Sequence, residues 1–366
     1  MNILRILLPI TSVMILAGFM GFANAQENGV LLWGNLQNDA TILQDKDTSF
    51  RNQFDFAGDN VLTLNLRNRN TSLAKVEASF DLILLYGHNA DTVAAQIPSA
   101  LKVAAVRLTP MLVDVRKLYA ALYLPFADVS IGRQIINYGF GQVFSPMDKF
   151  SAIAVTDIAF KRSGSDVARV RVPFGSLAGI DAVATLSSRR QGVDAAAKIY
   201  GNWNGFDVSA VGIYQGSRDQ YLTGIGFKGD LLLGFHGEAV EYWNRQGAQK
   251  FSGMLGADYS IFNTWYFAAE YLCNEKDSAL DSRSIADLFA TGQWGFASAR
   301  YCINDLMSIS LSALGEIKAK RGFVTAQYLY NIVQNVNATV YGRYYAGVSG
   351  TNLPDLEYGL RVDAAF

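Results

Sequence analysis

Asp355-Leu356-Glu357-Tyr358-Gly359-Leu360-Arg361-Val362-Asp363-Ala364-Ala365-Phe366 ends the chain, and its alternation decides how everything before it is read. Leu356, Tyr358, Leu360, Val362, Ala364 and Phe366 fall on one face of an extended strand, and Asp355, Glu357, Arg361 and Asp363 on the other. A strand with one apolar and one charged face separates lipid from water, as each strand of a membrane-spanning barrel must.

The closing aromatic adds to this. A strand that stops on Phe366 resembles the C-terminal signature of bacterial outer-membrane barrels, and the resemblance implies a chain handed to the barrel-assembly machinery through that residue. The opposite terminus agrees. Arg5 begins a positive segment, Ile6 to Phe22 form an apolar core, and Ala23-Asn24-Ala25 is a small-x-small cleavage site. Residues 1–25 are therefore expected to be a signal peptide, with 26–366 forming the mature barrel domain. No later window reaches the roughly 20 apolar residues that a spanning helix needs.

Composition narrows the class. The chain is 50% hydrophobic and 12% aromatic, with 33 Gly and only 7 Pro, which suits twisted antiparallel strands joined by Gly, Asn and Asp turns. Without Arg5 there are 30 basic and 32 acidic residues, a net charge of −2 that argues against nucleic acid as a partner.

Period-2 alternation continues backward from Phe366. Strands are expected near 336–345, 322–330, 306–316, 290–303, 264–272, 250–260, 231–243, 220–228, 206–214, 192–200, 177–187 and 166–174, and earlier near 128–138, 112–124, 74–86, 59–68 and 30–43. The run from Leu231 to Val240 is less regular, because His236 and Glu238 share a face with Val240. Connections sort by parity. Short ones recur at 331–335, 304–305, 261–263, 229–230, 201–205, 173–176, 125–127 and 69–73, while every long one (346–354, 273–289, 139–165, 87–111, 44–58) falls in the other set. The prediction is an all-β, transmembrane, antiparallel up-and-down β-barrel of 18 strands, with 16 as the alternative count, its short turns periplasmic and its long loops outside. Aromatics gather at both strand ends: Phe174, Trp203, Phe262, Trp265 and Tyr301 near short turns, and Tyr86, Tyr138, Tyr214, Tyr221 and Tyr345 near long loops, as two interfacial belts would.

A barrel this wide leaves an aqueous interior unless something fills it. Arg67, Glu77, Asp81, Arg169, Arg171, Asp194, Lys198, Glu270 and Arg343 are the expected pore-lining residues, being charged and inward by alternation. Arg169 and Arg171, two apart on one face, could steer anions; general hydration by mixed charges is the plainer reading. The segment Gly132-Arg133-Gln134-Ile135-Ile136-Asn137-Tyr138-Gly139-Phe140-Gly141-Gln142-Val143-Phe144-Ser145-Pro146-Met147-Asp148 resembles a Gly-Arg-Gln, aromatic-Gly-x-Gly, Pro-x-Asp pattern of porin-like barrel families, the alginate-export type among them. It opens the 139–165 connection. Gly139 and Gly141 should allow a sharp departure from the strand, and Asp148, Lys149, Asp157, Lys161 and Arg162 are the candidate charges of a loop folded inward as a constriction.

Catalysis finds less support. The only histidines are His88, at the start of a long loop, and His236, with Glu238 on its face; a hydrogen bond inside the barrel is the favoured reading of that pair. No cluster has metal-ligand spacing, so no metal or cofactor is expected. Cys273 and Cys302 should lie at opposite ends of neighbouring strands, too far apart for a disulfide. The sequence thus points to an outer-membrane porin passing small hydrophilic solutes, not an enzyme, with the lipid bilayer as partner and a homotrimer left open. A structural or adhesive barrel is the alternative from another class, and an outer-membrane hydrolase the least favoured.

Overall fold

The computed structural model describes residues 29–44, 54–91, 111–151, 161–185, 193–216, 219–244, 249–275, 292–318, 320–347 and 354–366. The expected signal peptide, Asp157 and much of each long connection lie outside the described residues.

Eighteen strands follow one another: β1 (Val30–Gln44), β2 (Phe54–Asn68), β3 (Ala74–Gly87), β4 (Met111–Tyr123), β5 (Asp128–Gln134), β6 (Ser165–Phe174), β7 (Ala178–Thr185), β8 (Asp194–Trp203) and β9 (Phe206–Gln215). The second half comprises β10 (Gln220–Asp230), β11 (Gly234–Asn244), β12 (Gln249–Ile261), β13 (Trp265–Asn274), β14 (Gly292–Asn304), β15 (Met307–Glu316), β16 (Arg321–Val333), β17 (Val336–Ala346) and β18 (Leu356–Ala365). Each pairs antiparallel with its sequence neighbours, and β1 pairs with both β2 and β18, closing the sheet into a barrel with no free edge. The two weakest expected strands, near 30–43 and 290–303, are β1 and β14, so the count is 18 and not 16.

The terminal strand seals this closure. Phe366 exchanges both backbone hydrogen bonds with Gly34 of β1, at 2.9 and 3.0 Å. Its ring covers Gly34 so closely that a Cβ there would meet the ring edge at 2.4 Å, so the seam needs glycine opposite the aromatic. Short connections are two- to five-residue turns. Phe262 and Asn263 both adopt left-handed backbone (φ 50° and 57°), the primed-turn geometry that matches strand twist.

Outward faces carry the expected apolar rows, with Ile225, Leu255, Leu311, Val340 and Leu360 all exposed. Cys273 stands level with Gln293 near one end of β14, whereas Cys302 lies nine residues further along that strand, about 30 Å away. Both are free thiols.

Three expectations need correcting. The strand expected over 128–138 stops at Gln134, because residues 135–151 leave the wall and turn inward. Tyr138 is accordingly not in an interfacial belt: it is 1% exposed inside the barrel. Tyr345 also faces inward, its hydroxyl donating to Glu357 at 2.9 Å.

The inner faces are not uniformly polar either. Val167, Val183, Ala196, Val211, Ile213, Leu222 and Val240 carry an apolar surface across the inside of β6 to β11, and Ile136, Tyr138, Met147 and Phe150 of the inward segment pack on it. A hydrophobic core therefore sits within the barrel, between the wall and one loop. Burying that surface drives the segment inward.

Candidate functional site

The inward segment is held by two glutamates. Glu238 of β11 accepts hydrogen bonds from the backbone N–H groups of Phe140 (2.6 Å), Gly141 (3.1 Å) and Met147 (3.0 Å), and from the Ser145 hydroxyl (3.0 Å). Glu270 of β13 accepts from the N–H groups of Gln142 (2.5 Å), Val143 (3.0 Å) and Phe144 (2.9 Å). The segment thus folds into two backbone nests, each closed around a carboxylate. Both glutamates are almost fully buried, at 3% and 4% exposure. Burying a carboxylate is costly unless hydrogen bonds to its charged form replace water, and four donors converge on Glu238.

Glycine makes the approach possible. A Cβ on Gly139 would lie 1.7 Å from Ser145 Oγ and 2.5 Å from Glu238 Oε1. Both Gly139 and Gly141 have ordinary backbone angles, so they serve close packing rather than the strand departure expected of them. His236 bonds through Nε2 to Glu270 (2.9 Å), not to Glu238 on its own strand. The imidazole lies against Gly256 of β12, where a Cβ would come within 2.2 Å of Nε2.

The far end of the connection is anchored as well. Lys161 Nζ donates to Gln37 Oε1 on β1 at 2.8 Å, and Arg162 is ion-paired with Asp148. Residues 140–147 thus bond β11 and β13, while Lys161 bonds β1. Asp148 also accepts from the Tyr138 N–H at 3.4 Å. Burial pushes its carboxyl up to about 6, with Arg162 pulling the other way. Facing the open interior are Asn137 and Gln142, both exposed, and the half-buried Phe140 and Lys149; Lys149 lies 5.2 Å over the Tyr242 ring.

The other expected residues divide into pairs and packed groups. Arg67 stacks over Trp33 (5.4 Å), and Lys198 donates to the Tyr138 carbonyl (2.8 Å). Asp194 stands on the inner side of β8, its N–H bonded to Thr185 Oγ1. Arg169 forms a two-pronged pair with Asp181, and Arg171 meets Asp128 at 3.2 Å, so each arginine of the expected basic step has its own carboxylate. Glu77 sits between Lys75 (2.5 Å) and Lys117 (2.9 Å). Asp81 accepts from Thr63 at 2.7 Å with Arg116 at 3.7 Å. Arg343, bonded to Thr325 and Tyr345, is 4% exposed; like Glu270 it is packed within the wall's inner layer rather than bathed by open solvent.

Sequence reading missed two features. A bulge in β4 opposite Ser79 and Phe80 turns Arg116 and Lys117, adjacent in sequence, to the same inner face. In the sequence, Glu238 reads only as a partner for His236. The signal was present in Val240: an apolar residue on the inner row implies that something covers it.

No family model matches the chain, and no curated protein matches it in sequence. Solved structures do match in shape. A BenF-like porin from Pseudomonas fluorescens aligns with TM-score 0.62 at 9% identity over 92% of this chain and 98% of its own. OccAB4 of Acinetobacter baumannii aligns at 0.61 and 8% identity, covering 93% and 99%. The outer membrane protein opdK from Pseudomonas aeruginosa gives 0.61 and 8%, covering 92% and 98%. The fold is that of the outer-membrane porins. Within this porin fold the alternation of lipid-facing and water-facing residues persists at single-digit identity, since the barrel's physics constrains residue class and not residue name.

Proposed function

We propose that the protein is an outer-membrane channel that passes small hydrophilic solutes passively through a lumen narrowed by residues 135–151 and the return at Lys161. The observation that carries this is the pair of buried glutamates. They fix a folded segment to the inner wall while Lys161 reaches the opposite side, so solute must pass beside it. Residues 1–25 act as the export signal, and Phe366 is the residue offered to the assembly machinery.

Charge placement supports modest selectivity. Asp148 of the segment and the wall's Glu238 and Glu270 are buried, whereas Lys149 and Lys161 are half-buried. Arg169 and Arg171 are offset by Asp181 and Asp128. A slight anion preference therefore arises at the narrowing itself and not from an arginine track.

Reconstitution in planar bilayers tests the reading. Stable ohmic steps are expected, and deleting residues 145–160 should enlarge them and change ion selectivity. An inserted barrel that stays electrically silent would point to a structural or adhesive role; unchanged conductance and selectivity after the deletion would remove the constriction.

A further inference from the structure

The inner wall is chemically two-sided. From β3 to β7 it carries paired charges: Glu77 with its lysines, Arg169 with Asp181, and Arg171 with Asp128. From β12 to β16, between Glu270 and the short turns, its only inward charges are Asp258 and Arg300. The other polar groups on that face are hydroxyls and amides.

Cross-strand register sets four of them in one line. Tyr266 stands opposite Arg300, Arg300 opposite Ser310, and Ser310 opposite Gln327. One row nearer the narrowing, Ser298 faces Ser312. Four successive strands make the line about 14 Å long. Arg300 is exposed, with its guanidinium 5.5 Å over the Tyr266 ring. Ser298, Ser310, Ser312 and Gln327 are half-buried, and their side chains have no hydrogen-bond partner among the described residues. Their donors and acceptors are open to the bore.

The inward segment reaches this line. Gln142 Nε2 donates to the Tyr266 hydroxyl at 2.7 Å, which leaves the phenolic proton for another acceptor. A solute passing beside the segment therefore meets the row next.

The row's chemistry selects among solutes. A carboxylate or phosphate brings acceptors alone and leaves the serine hydroxyls and the Gln327 carbonyl without a donor. An ammonium brings donors alone and is repelled by Arg300. A sugar hydroxyl donates and accepts at once, so it matches every member. Asp258 offsets Arg300, so this side of the bore favours neither sign. Neutral hydrogen bonds exchanged with water gain little each, which keeps the hold weak enough for transit.

We propose that Tyr266, Arg300, Ser310 and Gln327, with Ser298 and Ser312 beside them, form a binding station for neutral polyhydroxylated solutes, sugars by chemical class. The station deepens the channel reading and rests on it.

The test records current through the full-length channel in planar bilayers. Sucrose is the probe, and sodium gluconate is an anionic counterpart that also carries a row of hydroxyls. Sucrose is expected to interrupt the current saturably, and more strongly than gluconate at equal concentration. Ser310→Ala/Gln327→Ala should weaken that block about five- to 150-fold, the loss of two neutral hydrogen bonds. Ser310→Thr/Gln327→Asn, which keeps a hydroxyl and an amide, should retain most of it. Ser209→Ala, on the inner side of β9, should leave it unchanged. Ohmic steps with no saturable sucrose block, tighter block by gluconate, or an equal loss in Ser209→Ala overturn the station and leave the channel standing. An inserted barrel that conducts nothing undoes the channel reading itself.

Discussion

Replacing Glu238 by alanine should release the inward segment without opening the barrel. Three backbone N–H groups and one hydroxyl lose their acceptor at once. A buried donor left without a partner costs about 1–3 kcal/mol. Water already in the lumen will reach some of them, so the lower half of that range applies, and the three N–H groups together give about 3–6 kcal/mol. That shifts the docked-to-released ratio by roughly a hundred- to ten-thousandfold. The apolar contacts of Ile136, Tyr138 and Met147 remain, so the segment should fluctuate rather than detach. Hydrogen exchange of the Phe140, Gly141 and Met147 amides in detergent reads the release directly, and single-channel recording should show larger, noisier openings. Glu238→Gln keeps one carbonyl but turns an N–H pair toward donors, so it should fall between the two. The barrel strands should keep their protection throughout. If those three amides exchange within twofold of the native rate and conductance does not move, Glu238 is not what holds the segment.

Other consequences follow from the same geometry. Gly139→Ala should mimic Glu238→Ala in exchange and conductance, since the new methyl would occupy the space of Ser145 Oγ and Glu238 Oε1. Asp148 binds its proton more tightly in the folded segment than free in water, so its contribution to stability is full at low pH. That contribution is lost as pH rises between about 4 and about 6. The ratio of segment opening in native protein to that in Asp148→Asn should therefore climb across this window and then level off; a ratio flat with pH refutes it. Removing a whole pair, by Arg169→Gln/Asp181→Asn or Arg171→Gln/Asp128→Asn, should move the reversal potential less than Lys161→Gln, because each pair carries no net charge.

The wall was readable because its chemistry repeats. Alternation in β3, β6, β8 and β18 assigned every residue a side, and loop parity assigned the barrel its ends. The interior was harder, since the same repeat cannot say what stands on a water-side face. Val167, Val183 and Val211 look out of place inside a wet barrel until the segment that covers them is known. Tyr138 looked like an interfacial ring for the same reason, because strand periodicity carries on through Ile136 and Tyr138 although the chain has already left the sheet. The β4 bulge defeated period-2 counting by one residue, hiding that Arg116 and Lys117 point the same way. The bonds of Glu238 and Glu270 to the inward segment span 91 to 128 residues of sequence, a range at which no local pattern operates.

Those long spans bear on how the molecule is made. Residues 135–151 are threaded well before the strands that hold them, so during assembly their greasy side has no dock and their amides no acceptor. The growing sheet must therefore curl around a waiting stretch of chain, which seats only once β11 and β13 arrive. Its fit then reports that more than two-thirds of the wall is in register. A nascent barrel that closed with this stretch stranded outside would keep an oily stripe along its watery bore.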